Sequence, residues 1–288
     1  MKASAFQYKK AHSVNEALNF LAEYGEDGRI LAGGQSLLPA LNMRLSEPQV
    51  LIDIQEISEL KGITLTQDVI RIGALTTHTE IEESLMIQTH LPLLHRAVPH
   101  IAHRAVRNIG TFGGSLAYAD PAAEWPACVM ALDATLIIAG KSGERRVSAK
   151  DFFIDLYTTA LQSDEILIAC EFKLPKNSRT YYFEELARRH GDYAVAGIAM
   201  SCNYVGEVID DIKIAFFSVS STAIMPVNTQ KFLTGKKISQ EIIQEAVELV
   251  RQEIETLPDL TSTAEMKNYL LGVLLERGLK EFQANKGV

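Results

Sequence analysis

The sequence predicts an α+β fold: a strand–helix–strand unit, a stretch of hairpins and short helices, then an antiparallel sheet backed by two helices. Three observations carry that prediction. Residues 29–54 run from an apolar strand into a Gly-Gly loop, a helix start and a second apolar strand. Residues 60–147 alternate hairpin patterns with short capped helices. Beyond the polar turn Pro175-Lys176-Asn177-Ser178 come three β-like runs and two amphipathic helices.

In chain order, Ser13-Val14-Asn15-Glu16 is a capping box, and Val14, Ala17, Leu18 and Leu21 form the apolar stripe of the first helix. Arg29 to Ala32 is a short buried-type strand that enters Gly33-Gly34. Ser36 is placed to cap a helix to Leu45, with Pro39 tolerated in its opening turns. Val50 to Ile54 is the next strand, which completes a unit able to turn backbone amides towards a phosphate. Ile63-Thr64-Leu65 and Val69-Ile70-Arg71-Ile72 make a hairpin, and Thr77-His78-Thr79-Glu80 is a second capping box. Pro99 interrupts a helical pattern from Pro92 to Arg104. A helix entered through Pro121 reaches Leu132, and Ala134 to Ile138 pairs with Arg145 to Val147 around Gly140-Lys141-Ser142-Gly143. The later β-like runs are Thr180 to Leu186, Ala196 to Tyr204 and Asp211 to Val219. Ser239 to Glu255 follows, with Ile242, Ile243, Ala246, Val247, Val250 and Ile254 on one face. The last helix runs from the capping box Ser262-Thr263-Ala264-Glu265 to Phe282.

A chain of 288 residues holds one large domain or two ordinary ones. Its net charge of −8 argues against nucleic-acid binding, which needs basic surface to displace counterions. Cys128, Cys170 and Cys202 are too few and too scattered to ligate an iron–sulfur cluster or a structural zinc, and they suit a reducing cytoplasm. Lys9 and Lys10 interrupt the early apolar residues, so no signal peptide is read. The most hydrophobic stretch, Ala127 to Ala139, is too short to span a bilayer. The expectation is a soluble cytoplasmic protein with no membrane insertion.

The chemistry concentrates in two loops, Leu31-Ala32-Gly33-Gly34-Gln35-Ser36-Leu37 and Gly110-Thr111-Phe112-Gly113-Gly114-Ser115-Leu116. Paired glycines let amides approach a ligand, and the serine adds a donor, so each loop is either a tight turn or an anion nest. Two such loops favour a diphosphate gripped from both sides. Neither has the GxGxxG spacing of a nicotinamide site, and Gly140-Lys141-Ser142 is a hairpin turn without a P-loop's first glycine. His90, His95, His100 and His103 lie in one segment but lack HExxH or a companion ligand set, so no metal is expected. Without a GxSxG elbow, no covalent catalysis is expected and no catalytic residue is assigned. Arg107-Asn108 either shapes the second loop or contacts a phosphate, or else makes a surface ion pair. Asp120 and Glu124 either accept from ribose hydroxyls or cap a helix. Arg188-Arg189 and Asp192-Tyr193 read as a charged turn from which Tyr193 could cover a flat aromatic ligand.

Together these segments resemble the flavin-binding medium subunit of the molybdenum hydroxylases, the group of carbon monoxide dehydrogenase, N-heterocycle dehydrogenases and the flavin domain of xanthine dehydrogenase. The resemblance runs nearly end to end. It rests on Ala32-Gly33-Gly34-Gln35-Ser36-Leu37, Ile72-Gly73-Ala74-Leu75-Thr76-Thr77-His78 and Val106 through Leu116. Ala119-Asp120-Pro121-Ala122-Ala123-Glu124 and Leu186 through Ala194 also match. It implies a two-subdomain FAD-binding domain of the PCMH/VAO-like type at 1–176, with subdomains at about 1–58 and 59–176. A C-terminal domain of antiparallel sheet plus helices would occupy 177–288.

By matching position, Ala32, Gly33, Gly34, Gln35, Ser36 and Leu37, with Thr111, Gly113, Gly114 and Ser115, would hold the FAD diphosphate. Glu124 would bind on the ribose or ribityl side, Ile101 near the adenine, Ile168 through its backbone, and Tyr193 near the isoalloxazine. The resemblance further implies a small iron–sulfur subunit with two 2Fe–2S clusters and a large subunit with a molybdopterin cofactor, in a dimer of heterotrimers. Electrons would pass from the clusters to FAD and on to an external acceptor. Ile109 stands where many relatives carry arginine, and Glu184-Glu185 where many carry a lysine. Two other readings of the loops stay open, a self-contained FAD-dependent oxidase or reductase and a non-enzymatic nucleotide-binding assembly protein.

Overall fold

A computed structural model describes residues 2–284. Its first layer is a parallel three-stranded sheet of β1 (Gln7–Lys10), β2 (Gly28–Leu31) and β3 (Val50–Asp53), with β3 in the middle. Helix α1 (Val14–Tyr24) bridges β1 to β2 and buries Ala17, Leu18 and Leu21. The Ser13 hydroxyl accepts from the Glu16 amide at 3.1 Å, while the Glu16 carboxylate accepts from His12 N–H rather than from Ser13. Helix α2 (Leu37–Asn42) follows β2 and is shorter than its pattern predicts. Ser36 precedes it in a helical conformation, with no side-chain capping bond.

A five-stranded antiparallel sheet comes next, in the order β4 (Ile63–Thr66), β5 (Val69–Gly73), β10 (Ile166–Lys173), β6 (Thr135–Gly140) and β7 (Gly143–Ser148). The hairpin of β8 (Phe153–Asp155) and β9 (Thr158–Thr159) lies outside it. The β6–β10 register slips at Ile168, which bulges between Leu167 and Ala169. Short helices pack over this sheet: α3 (His78–Glu83), α4 (Leu85–His90), α5 (Pro92–Ala97), α6 (Arg104–Arg107), α7 (Phe112–Tyr118), α8 (Glu124–Ala131) and α9 (Ala149–Phe152). Thr77 and Glu80 form the complete capping box of α3. Pro99 ends the α5 run in a 3-10 turn, as a proline does when it removes a helical donor. Helix α8 starts three residues later than expected, at Glu124, because Asp120 ties Pro121 and Ala122 into a turn by accepting from Ala122 N–H at 2.9 Å.

The last sheet is an antiparallel meander of β11 (Arg179–Leu186), β12 (Ala196–Val205) and β13 (Val208–Phe217). Alternate residues of a strand face opposite sides. Accordingly Tyr182, Ile198, Met200, Ile214 and Phe216 join the core under the C-terminal helices, while Phe183, Ala199, Ala215 and Phe217 join the core around α8. Burial of both faces explains why β12 and β13 read as nearly continuous apolar runs. The helices are α10 (Val227–Leu233), α11 (Gln240–Glu253) and α12 (Ala264–Ala284). Ser239 caps α11, and Thr263 rather than Ser262 accepts from the first turn of α12, because the helix begins at Ala264, directly after Thr263.

Candidate functional site

The loop after β2 leaves its amides unspent. Those of Gly33, Gly34, Gln35 and Ser36 have no acceptor among the described residues, and the Ser36 hydroxyl makes no cap. Gly34 holds φ +70 there. A row of free amides with an adjacent hydroxyl is a donor set suited to phosphate oxygens.

The second loop is built differently. Thr111 bridges to Thr77, and the following amides are committed within the protein: Phe112 N–H to Thr76 O, Gly113 N–H to Ala74 O, Gly114 N–H to Thr111 Oγ1 and Ser115 N–H to Thr111 O. What this loop offers outward is therefore the Ser115 hydroxyl rather than a nest of amides, since Thr111 is buried and its Oγ1 accepts from Gly114 N–H. Close packing joins it to the first loop. A Cβ on Gly33 would overlap the Ile109 carbonyl, and one on Gly113 would overlap Ala74. A Cβ on Gly114 would stand 3.6 Å from that of Ala32. The Ile168 carbonyl accepts from Ala74 N–H at 2.9 Å, so the bulge of β10 supports the same Ala74 on which Gly113 rests.

Behind the second loop, Trp125 Nε1–H donates to His78 Nδ1 at 3.0 Å. Accepting there puts the imidazole proton on Nε2. Burial, with the Arg107 guanidinium nearby, pushes the His78 pKa down to about 3, so the ring stays neutral. Arg107 is itself buried. Its Nε lies 3.0 Å from Glu82 Oε2, and its Nη1 donates to the carbonyls of Ile101 at 3.0 Å and Ala102 at 3.2 Å. Of the readings of Arg107, shaping the loop is the observed one: it locks the turn that carries Ile101 to the helix leading into Gly110.

Glu124 and Tyr193 belong to a second group. Glu124 opens α8 and is buried, and its pKa is pushed up to about 8 by burial and then by the neighbouring Glu185 carboxylate. Asp120 is raised by burial and faces the Tyr193 hydroxyl, while the Tyr193 ring lies exposed. Arg189 pairs with Asp192 at 3.1 Å, as expected for a charged turn. Glu185 Oε1 lies 3.4 Å from His100 Nδ1. Among the described residues no group of His, Cys, Asp and Glu is arranged to hold a metal ion.

The fold thus gathers both glycine loops and Ile168 at one place, and Glu124 with Tyr193 at another, linked by Trp125 beside Glu124 and by His78 against Gly110. His78 is the organising residue that sequence reasoning left without a role, whereas Arg107 is the one it offered as shaping the second loop. The capping box that contains His78 was the available signal for one, and the position of Arg107 before a glycine loop for the other.

Residues 4–176 match the model of the FAD binding domain in molybdopterin dehydrogenase, and residues 181–282 match that of the CO dehydrogenase flavoprotein C-terminal domain. The chain belongs to this family. Caffeine dehydrogenase subunit beta of Pseudomonas sp. (strain CBB1) is 36% identical over 282 residues, covering 97% of this chain and 95% of that one. The carbon monoxide dehydrogenase structure from Hydrogenophaga pseudoflava superposes with a TM-score of 0.94 at 35% identity, over 96% of each chain. Quinoline 2-oxidoreductase from Pseudomonas putida 86 does so with a TM-score of 0.94 at 35% identity, over 100% of each. As a member of this flavoprotein family, the chain takes FAD as its cofactor. The free amides of Gly33 to Ser36 and the Ser115 hydroxyl fit that cofactor's diphosphate. No helix among the described residues is long and apolar enough to cross a membrane.

Proposed function

We propose that this chain is the FAD-carrying electron-transfer subunit of a molybdenum-containing hydroxylase or dehydrogenase. It works between the 2Fe–2S clusters of a small partner subunit and an external acceptor, with the molybdopterin cofactor on a large partner subunit. The observation that carries the reading is the donor set of the two packed loops, free amides on one and the Ser115 hydroxyl on the other. Residues 32–37 and 111–115 hold the diphosphate. Glu124, neutral at pH 7, both donates to and accepts from a ribose or ribityl hydroxyl. Ile101 borders the adenine, Ile168 contributes backbone and Tyr193 covers the ring system. FAD supplies both one- and two-electron redox chemistry, and the protein supplies its placement.

The division into 1–176 and 177–288, a cytoplasmic setting and a dimer of heterotrimers complete the proposal. The relatives' names support a multi-subunit assembly, since they are those of a medium chain or of a lettered subunit. Purification of the tagged chain from its native cell, with metal analysis of the eluate, tests it. Iron and molybdenum co-eluting with one smaller and one larger chain is the expected result. A metal-free chain that oxidises a substrate unaided would contradict it.

A further inference from the structure

A cleft of about 280 Å³ opens between the end of β10 and the start of β11. Phe172 and Leu174 give it an apolar wall, and Leu174 N–H is anchored on Asp68 O at 2.7 Å. Its polar side is cationic, formed by Lys173, Lys176, Arg179 and Lys213. Lys213 lies 3.1 Å from Asp133 and 3.5 Å from Asp211, and Arg179 lies 2.7 Å from Asp211. Lys173 and Lys176 are exposed and have no ion pair among the described residues. Four cations against two carboxylates leave surplus positive charge here, on a chain whose net charge is −8.

Arg179, which lines the cleft, keeps one donor unspent. Arg179 Nη2 donates to Asp211 and, at 3.2 Å, to Ser201 Oγ. Ser201 in turn donates to Ala131 O at 2.7 Å. The Arg179 Nε–H is buried and has no acceptor. A buried guanidinium N–H without a partner is costly, and an oxyanion is the acceptor such a donor takes best.

We propose that this cleft is a second ligand site, for a small organic oxyanion. The anionic head meets Arg179 Nε–H and the ammonium groups of Lys173 and Lys176, and the apolar body lies on Phe172 and Leu174. The volume is below that of most sites for drug-sized ligands, which limits the ligand to a few heavy atoms and excludes a dinucleotide. The proposal does not rest on the flavin reading.

The thermal midpoint of the full chain tests it, measured in phosphate and in benzoate against chloride at equal ionic strength. Each oxyanion gives a saturable rise that chloride does not, since a ligand bound only by the native state stabilises it. The double variant Lys173→Gln/Lys176→Gln keeps the unliganded midpoint and weakens both apparent affinities by about fivefold or more. Arg179→Lys, which keeps the charge but removes the Nε donor, weakens them by about tenfold. If Arg179→Lys fails to fold, the double variant decides alone. Three results overturn the proposal: no saturable rise, a rise indifferent to the lysine variants, or a rise lost in Ser36→Ala, which would put the anion in the first glycine loop.

Discussion

The carbonyl oxygen of Ile109 occupies the space into which a Cβ on Gly33 would project, so the two glycine loops are packed backbone to backbone. Gly33→Ala must push them apart. Overpacking of this kind costs about 1–3 kcal/mol, and Gly113→Ala, against Ala74, falls in the same range. Urea unfolding of the FAD-free chain measures both. An unchanged midpoint in either variant contradicts the packing described.

Ser36 separates binding from folding. Its hydroxyl caps nothing, so Ser36→Ala changes stability by less than about 0.5 kcal/mol. A hydrogen bond to a charged phosphate is worth about 1.5–3 kcal/mol, so FAD affinity falls by about tenfold or more. Quenching of FAD fluorescence reads the affinity, and equal affinities would remove Ser36 from the site.

Arg107 acts through the turn it holds. Arg107→Met leaves Glu82 and the carbonyls of Ile101 and Ala102 without their donor. Breaking a buried pair from one side costs about 3–5 kcal/mol, with the lower end expected here because Glu82 is partly exposed. Arg107→Lys recovers only part of this, since an ammonium cannot fork between a carboxylate and two carbonyls. Thermal unfolding that ranks lysine with wild type would contradict this role.

Two buried groups pull the pH dependence in opposite directions. Below about 6.5 the unfolded chain takes up a proton on His78 that the folded chain refuses until about 3, so stability falls as pH drops through that window. Above about 4.5 the unfolded chain releases the Glu124 proton, which the folded chain keeps until about 8, so stability falls as pH rises through that one. The two offset each other where the windows overlap, and between pH 7 and 8 the Glu124 effect stands alone at about 1 kcal/mol per unit. Glu124→Gln, which mimics the neutral acid, flattens this alkaline slope. Equal slopes for variant and wild type, read by urea unfolding at pH 7 and 8, would contradict a buried neutral Glu124.

What the sequence makes legible is what a few neighbouring residues decide. The Thr77–Glu80 capping box, the turn at Gly140–Gly143 and the two-faced apolar runs of β12 and β13 need only local chemistry or simple periodicity. Ser36 misleads because a serine before an apolar run carries the signature of a cap, whether or not its hydroxyl turns to the helix. The start of α8 shifts because Asp120 competes for the Ala122 amide. The two glycine loops look alike, yet only the first keeps its amides free. Two of the acceptors that consume the second loop's amides, Ala74 and Thr76, lie more than thirty residues upstream. The roles of His78 and Arg107 are likewise set by distant partners, Trp125 and Glu82.

The visible absorption spectrum of the purified chain, with the chromophore released by acid and identified, tests the central claim most directly. Bound FAD in wild type, weakened in Ser36→Ala without loss of fold, is the predicted result. A colourless chain that also fails to take up added FAD would contradict it.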